Sequence, residues 1–313
     1  RAFAEAIGHG QQLLAAVFVG PDDHQNALPF LSHARFEIHP VSPDVEKAPM
    51  AQVALLPGLI VGPPVGLQPR DRLGRKPLGV RAEKRRQRFP RYYLQNFHYQ
   101  TGGWLDDASA EIYDTQVEVL FTGTADAMRR QALVPLADAL RGRDQRDVAM
   151  LDVACGTGRF LTFVCDNYPR LNLTAVDLSP NYLAKARRTL KRWRQVRLAN
   201  ANAERLPVPD NSQDVVTCIY LFHELPPKIR RVVAAELARV LKPGGRLIFV
   251  DALQKGDTEG MDALLDFFPW AFHEPYFDSY TKEDLTTLFS KAGLTPLSET
   301  PVFLSKVMSF EKS

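Results

Sequence analysis

The chain has 313 residues, of which 45% are hydrophobic and 24% charged, and its formal net charge at neutral pH is +3. This composition is typical of a globular protein with room for one large domain and an appendage. No run of 18 or more apolar residues occurs, which argues against a membrane-spanning helix. A net charge this small does not by itself indicate a polyanionic partner.

Residues 1–90 contain eleven of the 23 prolines. Each proline removes a backbone donor and restricts the residue before it, so long helices are excluded there. We therefore predict a proline-rich extension over residues 1–90 and a separate domain over residues 91–313. The role of the first 66 residues cannot be inferred from their sequence.

Residues 70–91 form a basic segment, with ten Lys or Arg against only Asp71 and Glu83. Two interpretations stay open: a solvated basic linker, or a patch for anionic membrane lipid and so peripheral membrane contact. Interleaved aromatic residues and a nucleic-acid motif are both missing from this segment, which argues against nucleic acid as its partner.

Few features of the sequence indicate the cellular compartment of the protein. The short apolar run Leu13–Val19 follows Glu5 and does not make a secretory signal. The three cysteines, Cys155, Cys165 and Cys218, fall in predicted structural elements, as expected of reduced thiols inside a cell. We expect an intracellular and cytoplasmic protein, with an organellar, plastid-like location as the alternative.

Two segments precede the predicted sheet. Residues 92–104 hold six aromatic or histidine side chains and end in Gly102-Gly103-Trp104, which is unusual for a linker. Residues 117–140 have a helical pattern on both sides of Gly123.

The most informative segment is residues 148–158, an apolar run that ends in Ala-Cys-Gly-Thr-Gly and is followed by Asp177. The pattern predicts a buried strand that leads through a glycine loop into a helix. Gly156 and Gly158 permit positive φ and a close approach of the backbone to a ligand. An acidic residue after the next strand is placed to accept hydrogen bonds from two ribose hydroxyls, so the pattern predicts an adenosine-containing cofactor.

The spacing of the glycines in the loop distinguishes among adenosine-containing cofactors. Nicotinamide and flavin sites use a third glycine, and the corresponding residue here is Leu161. A phosphate-binding loop of the G-K-[ST] type is also missing.

The remaining elements alternate between strand and helix. Ser179-Pro180 supplies a helix N-cap and a first-turn proline, and Pro243-Gly244-Gly245 is predicted to be a turn. Thr281 with Asp284 predicts a capping box for a helix that ends at Gly293. The predicted strands are Leu173–Asp177, Val196–Asn200, Asp214–Leu221, Arg246–Val250, Leu294–Thr300 and Val302–Phe310, and the predicted helices after the glycine loop cover residues 180–193, 226–241 and 281–293.

The segment Asp152-x-Ala154-x-Gly156-x-Gly158 resembles the first motif of class I S-adenosylmethionine-dependent methyltransferases, with Ala154 in place of the first glycine. Residues 203–207 (Ala-Glu-Arg-Leu-Pro) and 241–245 (Leu-Lys-Pro-Gly-Gly) resemble the UbiE-like small-molecule methyltransferases. A looser resemblance extends to methyltransferases of cyanobacteria and plastids. The resemblance implies an α/β, Rossmann-like fold: a seven-stranded, mostly parallel sheet with an antiparallel last strand and helices on both faces. It covers residues from about 90 to 313, and we divide them into a lid or leader over 91–146 and a core over 147–313.

The resemblance also implies which residues bind S-adenosylmethionine. Asn202 stands where the family usually has an acid for the adenine amino group, and Tyr113 stands where a tyrosine lies near the carboxylate of the cofactor. The cofactor-binding residues implied are Tyr113, Asp152, Ala154, Cys155, Gly156, Thr157, Gly158, Asp177, Leu178, Asn202, Ala203, Glu204 and Leu221.

Acceptor residues are less well marked. His223 follows the fourth predicted strand, at the edge where ligands bind in such sheets, and its ordinary pKa near 6.5 suits a general base. Packing beside the cofactor is the alternative role. The aromatic cluster at residues 270–277 suits the wall of an apolar or planar acceptor pocket. The acceptor residues predicted are Tyr99, Trp104, His273 and Tyr276.

Two His-Glu pairs, at 223–224 and 273–274, invite a metal hypothesis. Adjacent residues do not share a helical face, and no H-x-x-x-H or cysteine set accompanies them, so we predict no metal.

The sequence therefore predicts methyl transfer from S-adenosylmethionine to oxygen or carbon of a small, apolar or aromatic acceptor. By resemblance the acceptor is quinone-like, phenolic or isoprenoid. An RNA methyltransferase that uses residues 70–91, and a non-catalytic protein that binds the cofactor or a partner, are the alternatives. The oligomeric state is left open.

Overall fold

The computed structural model describes residues 89–95, 97–98 and 103–313. The proline-rich extension and nearly all of the basic segment lie outside the described residues, as does Tyr99. None of the described helices has the length and apolar character needed to cross a membrane.

A seven-stranded sheet forms the centre of the described chain, with strand order β3-β2-β1-β4-β5-β7-β6. The strands β1 to β5 run parallel, and β7 lies antiparallel to both β5 and β6. The predicted fold class is therefore confirmed. The strands are β1 Ala149–Val153, β2 Asn172–Asp177, β3 Val196–Asn200, β4 Gln213–Ile219, β5 Leu241–Ala252, β6 Leu294–Val302 and β7 Ser305–Lys312.

Helices flank the sheet on both faces, as expected where parallel strands are joined by crossover connections. The α-helices are α1 Asp107–Leu120, α2 Ala125–Arg130, α3 Leu133–Leu140, α4 Arg159–Asn167, α5 Pro180–Thr189, α6 Pro227–Val240, α7 Asp262–Phe272, α8 Phe277–Tyr280 and α9 Leu285–Lys291. Short 3₁₀ helices cover Gly103–Leu105, Gln145–Asp147 and Phe222–Glu224.

Successive side chains of a strand point to opposite faces of the sheet, so the core consists of two layers. Leu151 of β1 packs in the layer that contains α6 and α9, and its neighbour Met150 packs in the layer that contains α3, α4 and α5. Both side chains are fully buried. This near-continuous burial explains why the central strands read as apolar runs in the sequence.

Two predicted boundaries are wrong. Pro243-Gly244-Gly245 is not a turn before the strand, because β5 begins at Leu241 and contains these residues as a bulge between the pairs Gln213↔Leu241 and Val215↔Arg246. Gly244, with φ of 73°, allows the strand to bend and then pair again.

The last helix begins later than predicted. Its N-cap is Asp284, whose side chain accepts from the backbone N–H of Thr287. Thr281 instead follows the short helix α8, and its hydroxyl donates to the Asp278 carbonyl. The predicted helix over 281–293 is thus shorter, Leu285–Lys291, because Asp284 and not Thr281 caps it.

The strand order indicates where a ligand crevice lies. The direction of strand order reverses between β1 and β4, and in open α/β sheets ligands bind outside the carboxyl ends of the strands at such a point. The glycine loop, Asp177 and the segment that contains His223 all follow the carboxyl ends of strands in this part of the sheet.

Candidate functional site

A pocket of about 1120 Å³, part of it open to solvent, lies at this crevice. Its walls come from the ends of β1, β2 and β4, from the loop after β3, and from the segment before α1. Most of the predicted cofactor residues line it: Tyr113, Asp152, Ala154, Cys155, Gly156, Thr157, Asp177, Leu178, Asn202, Ala203 and Leu221.

The glycine loop has the backbone that its sequence predicts. Ala154, Gly156 and Gly158 all have positive φ, with values of 61°, 55° and 77°. A Cβ at Gly158 would lie 2.8 Å from Leu190 Cδ1, whereas a Cβ at Gly156 would meet no atom within 4 Å. Gly158 is therefore required for packing of the helix behind the loop, and Gly156 borders open space in the pocket.

Asp177 is held by the backbone. Its Oδ2 accepts from the N–H of Gly156 at 2.8 Å, and its Oδ1 accepts from the N–H of Ser179 at 2.7 Å. A carboxylate has about four acceptor positions, so each oxygen can still accept one further hydrogen bond. Burial raises the pKa of Asp177 to about 6, against these backbone donors, which lower it.

Asp152 lies one strand away and is buried in the same wall. Its Oδ1 accepts from the Thr217 hydroxyl at 2.5 Å, and burial raises the pKa of Asp152 to about 7. Thr217 is fully buried on β4, so this bond ties the two central strands together at the floor of the pocket.

The loop after β3, which contains Asn202 and Glu204, is internally hydrogen-bonded. The Asn202 amide oxygen accepts from the N–H of Glu204 at 3.0 Å, and its amide nitrogen donates to Glu204 Oε1 at 2.9 Å. Glu204 does not line the pocket; it accepts from the Tyr92 hydroxyl at 2.7 Å. Glu204 thus joins this loop to the segment before α1.

Two side chains of opposite charge, Arg129 and Asp114, also line the pocket, and the sequence analysis did not predict them there. Arg129 is 4% exposed and lines the pocket, with its Nη1 3.0 Å from Asp126 Oδ1. Asp114 also lines the pocket and accepts from the Thr157 hydroxyl at 2.8 Å. No local motif marks Arg129; its only sequence signal is its place in an apolar helical pattern.

Aromatic side chains close the pocket. Tyr92, Tyr93, Phe97 and Trp104 all line it, and the backbone carbonyl of Trp104 accepts from the Ser179 hydroxyl. The ring of Trp104 lies edge-on to the rings of Tyr113 and Tyr182.

The other predicted acceptor residues have different places. His273 is exposed and ends helix α7 with a φ of 52°, and it does not line the pocket. Tyr276 does not line the pocket either; its hydroxyl accepts from the side chain of Gln95, and its ring centroid is 6.4 Å from that of Phe97.

His223 lies behind the pocket wall, next to Leu221 and Glu224, which line it. Its Nδ1 is 2.5 Å from Asp251 Oδ1, and Asp251 also accepts from the N–H of Phe222. Burial opposes a charge on His223, but the Asp251 carboxylate outweighs it and raises the pKa of His223 to about 10. This pairing favours the protonated side chain, which is the wrong state for a general base.

A second group of titratable residues adjoins His223. His98 Nε2 is 2.5 Å from Glu274 Oε1 and 3.4 Å from Glu224 Oε1. Burial and the Glu274 carboxylate raise the pKa of Glu224 to about 8. The sequence analysis did not bring these residues together, because position 98 is 176 residues from position 274.

Comparisons with known proteins agree with this geometry. Residues 150–245 match the family model described as a methyltransferase domain. The chain is 35% identical over 140 residues to a demethylmenaquinone methyltransferase of Deinococcus radiodurans, covering 44% of this chain and 55% of that protein. It is 32% identical over 145 residues to the ubiquinone/menaquinone biosynthesis C-methyltransferase UbiE of Desulfotalea psychrophila, covering 46% and 55%.

A third relative is the demethylspheroidene O-methyltransferase of Rhodobacter capsulatus, 30% identical over 181 residues, which cover 56% of this chain and 44% of that protein. The chain thus spans about half the length of the relatives that it matches.

Two solved structures share the fold. The pyocyanin biosynthetic protein PhzM has a TM-score of 0.51 at 13% identity, covering 66% of this chain and 61% of that one. Human N-acetylserotonin methyltransferase, solved in complex with S-adenosylmethionine, has a TM-score of 0.51 at 14% identity, covering 66% and 57%. Residues 150–245 thus match a methyltransferase domain, and the chain is similar to demethylmenaquinone and UbiE methyltransferases over about half of their length.

Proposed function

We propose that this protein binds S-adenosylmethionine and transfers its methyl group to oxygen or carbon of a small, apolar or aromatic acceptor. The observation that carries the proposal is the arrangement of one pocket. A backbone-held carboxylate lies in its wall, two side chains of opposite charge also line it, and aromatic side chains close it.

The residues present fit this cofactor. Asp177 keeps acceptor positions for two ribose hydroxyls, and Asn202 borders the place for adenine. Arg129 and Asp114 would pair with the carboxylate and the ammonium group of the methionine part, since opposite charges attract most strongly where water is excluded. When bound, the cofactor would supply a methyl group on a positively charged sulfur.

What the protein contributes is position and exclusion of water. Methyl transfer is an in-line displacement, and holding the two reactants in the right geometry can contribute on the order of 7–11 kcal/mol. Tyr93, Phe97 and Trp104 would cover the bound cofactor and offer flat apolar surfaces to an acceptor. These surfaces suit a quinone-like, phenolic or isoprenoid ring better than a charged substrate.

The named activities of the relatives favour the same class of acceptor, and they include both a C-methyltransferase and an O-methyltransferase. We place no base on His223, since its pairing with Asp251 favours the protonated form. Its role as general base stays a prediction from the sequence.

The test is calorimetric titration of the purified chain with S-adenosylmethionine and S-adenosylhomocysteine, with NADH as the control. We expect micromolar binding of both sulfur compounds and no binding of NADH. Lack of binding of either sulfur compound would contradict the proposal.

Acceptor class is tested next, by transfer of radiolabelled methyl from S-adenosylmethionine. The panel contains a short-chain demethylmenaquinol, a hydroxylated isoprenoid, a simple phenol and a structured RNA. We expect label in one of the first three, and product analysis by mass spectrometry and NMR would distinguish carbon from oxygen. Label in the RNA alone would favour the alternative methyltransferase class.

A further inference from the structure

Three ligand-type side chains converge beside the pocket: His98, Glu224 and Glu274. One donor atom from each lies within 4.8 Å of the others. They come from three separate parts of the chain, namely the segment before α1, the 3₁₀ helix after β4, and the loop between α7 and α8. Only the tertiary fold brings them together.

The two carboxylates are buried and incompletely bonded. Glu274 is 4% exposed and Glu224 is 8% exposed. Among the described residues, Oε2 of each has no hydrogen-bond partner. A buried oxygen of a carboxylate that lacks a partner costs free energy unless it is paired or coordinates a metal.

Carboxylates also outnumber imidazoles at the cluster. In the described part of the chain, the ion-pair partners of both glutamates are histidines, with no Lys or Arg among them. Asp251 adds a third carboxylate next to His223. Three buried carboxylates thus face two imidazoles, so the cluster has more groups that can carry negative charge than groups that can carry positive charge.

From these contacts we propose that His98, Glu224 and Glu274 bind one divalent transition-metal ion, of the zinc or manganese type, at the edge of the cofactor pocket. A mixed set of one imidazole and two carboxylates suits these ions better than calcium or magnesium, which prefer oxygen ligands alone. Three protein ligands leave at least one coordination position for another group, which is the arrangement of a catalytic rather than a structural site.

The place of the site gives it a role that rests on the proposed function. Glu224 lines the pocket, so an ion bound to it would adjoin the acceptor. A metal ion there would bind an acceptor hydroxyl and lower its pKa, so that the proton leaves to water and the oxygen or conjugated carbon becomes nucleophilic. The acceptors favoured are therefore phenols or hydroquinones.

The same ligands would link metal binding to closure of the pocket. His98 lies on the segment that also contributes Phe97 and Trp104 to the wall. Its neighbours in the ring contacts are Phe97, at 6.4 Å, and Trp104, at 5.2 Å. An ion bound by His98 and Glu274 would hold this segment against the rest of the domain.

The experiment is calorimetric titration of the full chain, treated with chelator and then freed of it, with ZnCl₂ and MnCl₂. The variants are His98→Gln and Glu274→Gln, and the matched control is Glu259→Gln, an exposed glutamate away from the cluster. We expect one equivalent of metal bound by the parent and the control, and at least 100-fold weaker binding in both variants. Electron paramagnetic resonance of bound Mn²⁺ is the second readout.

Circular dichroism shows that each sample is folded, and titration with S-adenosylhomocysteine accompanies each metal titration. Absent metal binding, or binding that neither variant weakens, overturns the metal site and leaves a proton-bridged contact between the two segments. If S-adenosylhomocysteine binds and metal does not, only this inference fails. If metal binds at the cluster and S-adenosylhomocysteine does not bind, the site stands and the proposed function fails.

Discussion

The proposed site has two halves that are built in different ways. On the proposed cofactor half, in the pocket wall, the Asp177 carboxylate is fixed by backbone N–H groups from residues 2 and 21 positions away in the chain. On the proposed acceptor half, behind the pocket wall, side chains hold one another: His98 pairs with Glu274 across 176 positions, and His223 pairs with Asp251 across 28. A local motif is thus enough to specify the first half, whereas the second half exists only after the chain has folded.

Because the second half depends on distant side-chain contacts, the largest loss of stability is expected from substitution of Arg230. Its side chain is fully buried and donates to the carbonyls of Phe222 and Tyr276 and to the hydroxyl of Ser279. It therefore joins the segment that contains His223 and Glu224 to the insertion that contains Glu274.

Arg230→Met should lower the free energy of unfolding by about 3–5 kcal/mol, because it removes a buried charge from its hydrogen bonds to two carbonyls and from its ion pair with Glu283. Denaturant unfolding followed by circular dichroism measures this. The matched control is Arg239→Met on the same helix, where the ion pairs with Glu236 and Asp210 are partly exposed and a loss within about 1 kcal/mol is expected. Equal losses in the two variants would show that the acceptor half does not depend on Arg230.

On the cofactor half, we expect substitution of Asp177 to affect binding of the cofactor. Asp177→Ala should weaken binding of S-adenosylhomocysteine by about 1–3 kcal/mol, since the ribose hydroxyls lose their acceptor. Calorimetric titration measures this, with Asp278→Ala, an exposed aspartate on α8, as the control. Unchanged affinity would remove the ribose contact from Asp177.

The same contrast between local and distant contacts explains which features of the molecule could be predicted from its sequence. The apolar strands, the Ser179 cap and the glycine loop are encoded by neighbours in the chain and were predicted from them, whereas the mixed topology of the sheet and the cofactor-binding residues were implied by resemblance. Gly158 and Glu204, implied at the cofactor by resemblance, do not line the pocket: Gly158 lies against Leu190, and Glu204 accepts from the Tyr92 hydroxyl. Their contact with the cofactor stays a prediction.

Residues whose role depends on distant contacts were not predicted. Arg129 looks like one more charge on an amphipathic helix until the fold buries it in the pocket wall. His98 was counted only among the aromatic and histidine side chains of its segment, and Glu274 only as half of a His-Glu pair. His273 and Tyr276 were predicted at the acceptor because they are aromatic or titratable near an insertion; no described residue of that insertion lines the pocket, and their acceptor role stays a prediction.

Affinity for the cofactor should also depend on pH through Asp177. Burial raises the pKa of Asp177 to about 6, so the carboxylate becomes protonated as the pH falls below 6. Affinity for S-adenosylhomocysteine should then fall by up to tenfold per pH unit, about 1.4 kcal/mol, because a protonated carboxyl offers fewer acceptor positions.

The stability of the unliganded protein should change in the opposite sense. A carboxyl whose folded pKa is raised contributes stability that is fully present below its unfolded pKa and is lost as the pH rises through about 6. Titrations and unfolding curves at pH 5, 6 and 7 measure both quantities. Asp177→Asn removes this titration, so a parent and a variant with parallel pH profiles would contradict the assignment.

The smallest effects concern the backbone of the glycine loop. Gly156→Ala should lower the stability of the unliganded protein by about 1 kcal/mol, because its φ of 55° disfavours a Cβ although no atom lies within 4 Å of it. Ala154 already holds a Cβ at a φ of 61°, so Ala154→Gly relieves strain there while it adds freedom to the unfolded chain. These two terms nearly cancel, and a net change below about 0.5 kcal/mol is expected in thermal unfolding. A large gain in stability from Ala154→Gly would mean that this loop stores strain, and that the cofactor half, too, depends on the rest of the fold to hold its shape.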